Sequence, residues 1–235
     1  MAPFDWIAFD ADDTLWHTEH LYADAQEQFV QILDHYLNAE AVQERLFAIE
    51  TRNIAHFGFG VKAFALSMIE TAVELSEGRV SGQDIQTLIE IAKGMLNAQV
   101  ELIEGVRETI AQLASTSAYQ LMLVTKGDLL DQESKIARSG LSDSFQAIEI
   151  VSDKNPESYA RLFKRHAIDP RRFLMIGNSL RSDILPVLAC GGSALYIPYH
   201  TTWMHEIAEP PPPGTPGFHQ LEQIGMLPEW LTTIK

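Results

Sequence analysis

Hydrophobic residues fall along this chain in two distinct patterns. Five short runs are continuous rather than alternating: Trp6 to Phe9, Leu121 to Val124, Ala147 to Val151, Phe173 to Ile176 and Ala194 to Ile197. Continuous apolar runs of strand length fit strands covered on both faces, since a strand with one wet face alternates. Segments able to carry helices lie between the last four runs, among them Leu129 to Ser139 and Glu157 to His166, with Gly140 and Asp169-Pro170 as stop signals. Such a succession of βαβ units predicts a parallel sheet with helices on both sides.

Residues 17–100 break that rhythm and hold no convincing strand. Phe29, Ile32, Leu33, Tyr36 and Leu37 recur at the spacing of one helix face, and Val61 to Leu75 and Ile85 to Leu96 have the same character. The stretch predicts an insertion of about four helices, interrupted at "HFGFG" and "SEGRVSG". "LIEGVRETIAQLA" returns the chain to the core, and "PPPPGTPG" predicts an extended surface segment before a short C-terminal element. The expected fold class is therefore α/β: a three-layer, doubly wound parallel sheet formed by residues 1–16 and 101–235, with residues 17–100 as an inserted helical domain.

The length of 235 residues suits one large domain or a domain with an insertion, and 46% apolar residues can build a sizeable core. A formal net charge of −15 argues against a nucleic acid polymer or an anionic membrane as partner. It leaves a phosphorylated substrate open, because a bound cation and lysines reverse the field locally. Cys190 is the only cysteine, so no intramolecular disulfide and no cysteine-rich zinc site is expected. The first residues lack the basic start and apolar centre of a signal peptide, and no run is long enough to span a bilayer, so the expected setting is cytoplasmic.

The candidate chemistry begins at the end of the first predicted strand. There "DADDT" packs Asp10, Asp12 and Asp13 into four positions. Such carboxylates repel one another and resist burial unless something compensates them. In an open parallel sheet, ligands bind at the carboxyl ends of strands. Two carboxylates spaced as Asp10 and Asp12 are can divide the labour, one staying ionised on a metal while the other gives or takes a proton. A calcium loop would want glycine at Leu15 and glutamate at Leu21, and both are missing. Helix capping or a turn explains one or two of these residues, Asp13 among them, but explains the whole cluster poorly.

Three more strand ends carry candidates. Thr125, followed by Lys126 and Gly127, offers a hydroxyl and backbone N–H groups as an anion cradle. Lys154 follows the third run, and "GNSLRSD" after the fourth supplies Asn178 and Asp183 as possible metal ligands. Each has a plainer reading as a helix cap or a solvated side chain. Their joint placement at strand ends is what points to a site.

Taken together these motifs resemble the haloacid-dehalogenase-like (HAD) hydrolase superfamily. "DADDT" is similar to its first motif, DxDx[TV], Thr125 to the second, Lys154 to the third and "GNSLRSD" to the fourth. The helical insertion lies where many members carry a cap domain. The resemblance implies a Rossmann-like core and a phosphatase-type member. Asp10 would attack phosphorus to form an aspartyl-phosphate, and Asp12 would be the general acid/base. Mg²⁺ would be bound by Asp10, the Asp12 backbone carbonyl, Asn178 and Asp183. Thr125 would hold a phosphoryl oxygen, and Lys154 would offset negative charge, with Lys126 as a nearby rival. The expected substrate is a small phosphorylated metabolite. Other activities built on the same motifs are a phosphomutase, a phosphonatase and a 2-haloacid dehalogenase, and a phospho-accepting or silent binding module is the non-enzyme alternative. Dehalogenases of the superfamily work without metal and lack the acid two residues after the nucleophile, so Asp12 favours phosphoryl transfer. The chain departs from the family pattern twice: Asp13 stands where glycine is frequent, and Asn178 where aspartate is common.

Overall fold

The computed structural model describes residues 3–116, 118–201 and 203–234. In chain order the elements are β1 (Trp6–Phe9), α1 (Glu19–Leu33), α2 (Ala39–Phe57), α3 (Val61–Leu75), α4 (Gly82–Asn97), α5 (Val106–Ser115), β2 (Gln120–Lys126), α6 (Leu129–Ser139), β3 (Ala147–Val151), α7 (Pro156–Arg165), β4 (Phe173–Gly177), α8 (Leu185–Ala189), β5 (Ser193–Tyr196), β6 (Phe218–Gln220) and α9 (Leu227–Thr233). Among the described residues no helix is long and apolar enough to cross a membrane.

The strands form one parallel sheet in the order β3-β2-β1-β4-β5-β6. Side chains of β1 alternate between two cores. Ile7 and Phe9 join Leu121, Leu123, Leu174 and Ile176 on one face, packed with Val106, Ile110 and Ile136. Ala8 joins Met122, Val124 and Met175 on the other, packed with Tyr159, Leu162, Phe163 and Val187. Both faces are dry, which is why the central strands read as unbroken apolar runs. The edge strand β3 departs from that expectation: Ile148 is exposed, while Glu149 is buried and accepts from Arg165 and His166. Strand β6 has no counterpart in the hydrophobic pattern, since Phe218, His219 and Gln220 are too short and too polar a run to register.

The order of the sheet places its switch point beside β1. The chain runs outward through β2 and β3 and then crosses to β4 on the other side of β1. The carboxyl ends of β1 and β4 therefore flank the crevice that doubly wound sheets use for ligands.

Two compact units divide the chain. One comprises Met1–His17, Val100–Lys126 and Gln132–Lys235, and the other Thr18–Gln99 with Gly127–Asp131. At the edge of the first unit the outgoing and returning segments are zipped together, with Ile103 N–H donating to Leu15 O and His17 N–H to Glu101 O, both at 3.0 Å.

The second unit holds α1 to α4 around Phe29, Leu33, Leu46, Phe64, Met68 and Leu88. Helix α1 ends at Leu33, earlier than its hydrophobic spacing implies; Tyr36 and Leu37 lie in the turn that follows, and Leu37 is exposed. Asn38 caps α2, and Ser81 with Asp84 forms a capping box on α4. Glu50 is buried on α2, and the loss of water, reinforced by nearby Glu19, pushes its carboxyl up to about 7.

Candidate active site

Asp10 leaves the end of β1 with its N–H still bonded to Ile176 O at 2.9 Å, so its backbone is fixed by the neighbouring strand β4. The chain then turns sharply. Ala11 O accepts from the N–H groups of Thr14 and Leu15 at 3.2 and 2.8 Å, and Asp13 N–H donates to Trp16 O at 2.7 Å. Asp13 adopts a φ of 59°, the left-handed region that glycine usually fills and that aspartate tolerates. Helix α1 begins further on, at Glu19, with Thr18 at its N-cap.

The Asp10 carboxylate is held at both oxygens. Oδ1 accepts from the Lys154 ammonium, and Oδ2 lies 3.1 Å from the Thr14 hydroxyl. That hydroxyl is also 3.1 Å from Asn178 Oδ1, so its single proton serves one of the two at a time. Asn178 N–H in turn donates to Thr14 Oγ1 at 3.2 Å. Lys154 bridges onward, donating to Asp183 Oδ1 at 2.7 Å.

Local sequence explains how these residues are aimed. Lys154 immediately precedes Asn155, which caps α7 in a reciprocal box with Ser158, and Pro156 starts the helix. Asp183 lies in a π-helical turn, Leu180–Ile184, a wide turn often found at functional sites. Its Oδ2 accepts from Ser179 N–H at 3.0 Å. It also lies against Gly177, where an added Cβ would come within 2.2 Å of Oδ2, so only glycine leaves room for the carboxylate.

Further donors surround the π-turn. Lys126 points not at Asp10 but at Glu206 and Ser182. Glu206 also accepts from Ser179 and Ser182. Burial opposes its charge, but Lys126 and these hydroxyls outweigh burial and hold its carboxyl below the usual range. Tyr159 donates to Ser182 O at 3.1 Å.

Asp12 has a separate environment. Oδ1 accepts from Trp16 Nε1 at 2.7 Å, Oδ2 from Gln132 Nε2 at 2.8 Å, and Lys135 Nζ reaches both oxygens at 2.7 and 2.8 Å. Thr125 is buried at the end of β2, and its hydroxyl donates to Gln132 Oε1 at 3.3 Å rather than to Asp10. The structure thus links Asp10 to Asp183 through Lys154 and to Asn178 through Thr14, and gathers Asp12 and Thr125 around Gln132. Sequence reasoning missed Thr14, Gln132, Lys135 and Glu206 as participants. Gln132 and Lys135 are one helical turn apart on the segment read as α6, a spacing that could have flagged a shared face. Glu206 gives no local signal.

The donor set suits a hard divalent cation. Among the described residues no three His, Cys, Asp or Glu side chains cluster as metal ligands. The oxygens these contacts bring together are the carboxylates of Asp10 and Asp183 and the Asn178 carboxamide, a mixed and incomplete set of the kind Mg²⁺ takes together with water. Burial pushes the Asp183 carboxyl up to about 7 despite Lys154. Burial works against the Lys154 charge too, yet Asp10 and Asp183 raise its pKa well above the ordinary value. One ammonium serves two buried carboxylates, and a cation would offset the charge that remains.

Comparison with known proteins gives the family. The sequence model of haloacid dehalogenase-like hydrolases matches residues 4–191. A haloacid dehalogenase-like family hydrolase from Xanthomonas campestris, known from a crystal structure, is 43% identical with a TM-score of 0.86, over 98% of this chain and 91% of that one. The pyrimidine 5'-nucleotidase YjjG of Escherichia coli (strain K12) is 22% identical over 238 residues, covering 94% of this chain and 97% of its own. The HAD-hydrolase YfnB of Bacillus subtilis, whose crystal structure is bound to magnesium, shares the fold with a TM-score of 0.68 at 18% identity, over 97% of this chain and 99% of that one. With a family match over most of its length and a relative this similar from end to end, the chain belongs to the haloacid dehalogenase-like hydrolases.

Proposed function

We propose that this hydrolase is a Mg²⁺-dependent phosphomonoesterase acting on a small phosphorylated metabolite through an aspartyl-phosphate. The observation that carries the reading is Asp12: a second carboxylate two residues after Asp10, held by its own donors and apart from the Lys154 pair. Displacement of a halide by a carboxylate needs no such acid, whereas phosphoryl transfer to Asp10 leaves an alkoxide that does.

In this reading Asp10 attacks phosphorus, and Asp12 protonates the leaving oxygen. Asp12 then takes a proton from the water that hydrolyses the acyl phosphate. Lys154 offsets the charge of the nucleophile and the phosphate, and the Thr125 hydroxyl turns from Gln132 to a phosphoryl oxygen. Asp10, the Asp12 carbonyl, Asn178 and Asp183 would hold the metal, whose chemistry is to neutralise repulsion between carboxylate and phosphate. The neutral Asn178 leaves more of the metal's charge to be met by Asp10 and Asp183. The helical unit is read as the cap that sets substrate choice.

The test is a panel of phosphate esters with Mg²⁺, scored by phosphate release. Pyrimidine nucleoside monophosphates come first because of the Escherichia coli relative's name, alongside sugar and flavin phosphates and p-nitrophenyl phosphate. Turnover that disappears in EDTA and in Asp10→Asn is expected. Chloride release from a 2-haloacid in EDTA, without phosphate release from any ester, would overturn the reading.

A further inference from the structure

Two of the donors on Asp12 come from one face of α6. Gln132 and Lys135 sit one turn apart, and between them they reach both carboxylate oxygens, and Trp16 Nε1 donates to one of the two. The Lys135 side chain is only 12% exposed, so it has given up most of its water for this contact. An exposed lysine–carboxylate pair is worth little, but this ammonium is shielded, meets both oxygens and belongs to a network. Gln132 is itself tied to β2, donating to Lys126 O at 3.3 Å, a bond that remains when the Thr125 hydroxyl leaves it for a phosphoryl oxygen. Its amide therefore cannot rotate away without breaking that bond to β2.

The chemistry of the donors gives the clamp a direction. An indole N–H, a carboxamide NH₂ and an ammonium group donate and do not accept. Both Asp12 oxygens are thereby held from fixed directions, so the carboxylate keeps one orientation.

We infer that Lys135 and Gln132 are positioning residues that preset Asp12 for the second half of the reaction, an inference that rests on the phosphatase reading above. In that half a water oxygen bonds to phosphorus and the bond between phosphorus and the Asp10 oxygen breaks, returning its electron pair to Asp10. The proton of the water passes to Asp12, and in the next turnover Asp12 gives it to the leaving alcohol. A base held at one place and angle shortens the search for the reactive geometry.

p-Nitrophenyl phosphate separates the halves, because p-nitrophenolate leaves without needing a proton. Pre-steady-state release of p-nitrophenolate in Mg²⁺ is measured for the wild type, Asp12→Asn, Lys135→Met, Lys135→Arg and Gln132→Ala. Lys135→Met is expected to keep a stoichiometric burst while its steady-state rate falls about 10- to 100-fold, as phosphoenzyme accumulates. Lys135→Arg restores part of that rate, and Gln132→Ala shows the same split more weakly. Burst and steady-state rate falling together in Lys135→Met, or neither changing, would overturn the inference. If Lys135→Met does not fold, Gln132→Ala and Lys135→Arg decide by the same criterion. A burst with slow turnover in Asp12→Asn but not in the α6 variants removes this inference alone. Absence of Mg²⁺-dependent ester hydrolysis in the wild type, or its persistence in Asp10→Asn, removes the phosphatase reading itself.

Discussion

The Lys154 ammonium donates to Asp183 Oδ1 at 2.7 Å, and the two side chains are 2% and 1% exposed. Neither charge has recourse to water, so each depends on the other and on Asp10. Removing one partner of a buried pair leaves an uncompensated charge, a loss of about 3–5 kcal/mol.

Lys154→Met should therefore lower stability by about that amount in EDTA, as well as abolishing turnover. Because a bound cation would take over part of the lysine's compensation, added Mg²⁺ should raise the melting temperature of the variant more than that of the wild type. Equal shifts in both proteins would show that the cation does not share this charge cluster.

Gly177→Ala should displace Asp183. The new Cβ would lie 2.2 Å from Oδ2, a clash that the packed π-turn cannot relieve by a rotamer change alone. Overpacking of this kind costs about 1–3 kcal/mol. The Mg²⁺ concentration for half-maximal activity should also rise, since the displaced group is a proposed ligand. A variant with unaltered metal dependence would argue that Asp183 does not ligate.

Glu50→Gln should change the pH dependence of stability in a defined direction. Burial raises this carboxyl from 4.5 to about 7 in the folded protein, so between those values the native state retains a proton that the unfolded chain has lost. Stability then falls as pH rises through that window. Glutamine removes the penalty, and the variant should be more stable than the wild type by about 1–3 kcal/mol at pH 8. The advantage should shrink below pH 4.5, where both states are protonated. Thermal melts from pH 4 to 8 would check this; a constant offset at every pH would show that Glu50 does not titrate across folding.

Much of the scaffold was legible because burial writes itself into periodicity. Strand β1 and helices α3 and α6 begin and end where the apolar pattern places them, and β2, β3, β4 and β5 agree within about two residues. The pattern failed where its physical basis fails. Strand β6 buries too little to produce a run, and α1 stops before Tyr36 and Leu37 because apolar residues also occur in turns, Leu37 there being exposed.

The chain by itself determined that Asp10, Lys154, Asn178 and Asp183 follow strand ends, since strand, turn and cap signals are local and each is carried by a few adjacent side chains. Only the tertiary structure decided which cation meets which acid. Lys154 goes to Asp10 and Asp183, Lys126 to Glu206, and Lys135 to Asp12 across 123 positions of sequence. Those pairings depend on the strand order that sets β1 between β2 and β4, and on how far each side chain reaches from its own element. Charge pairing over such separations has no period along the chain, so no pattern in the chain records it.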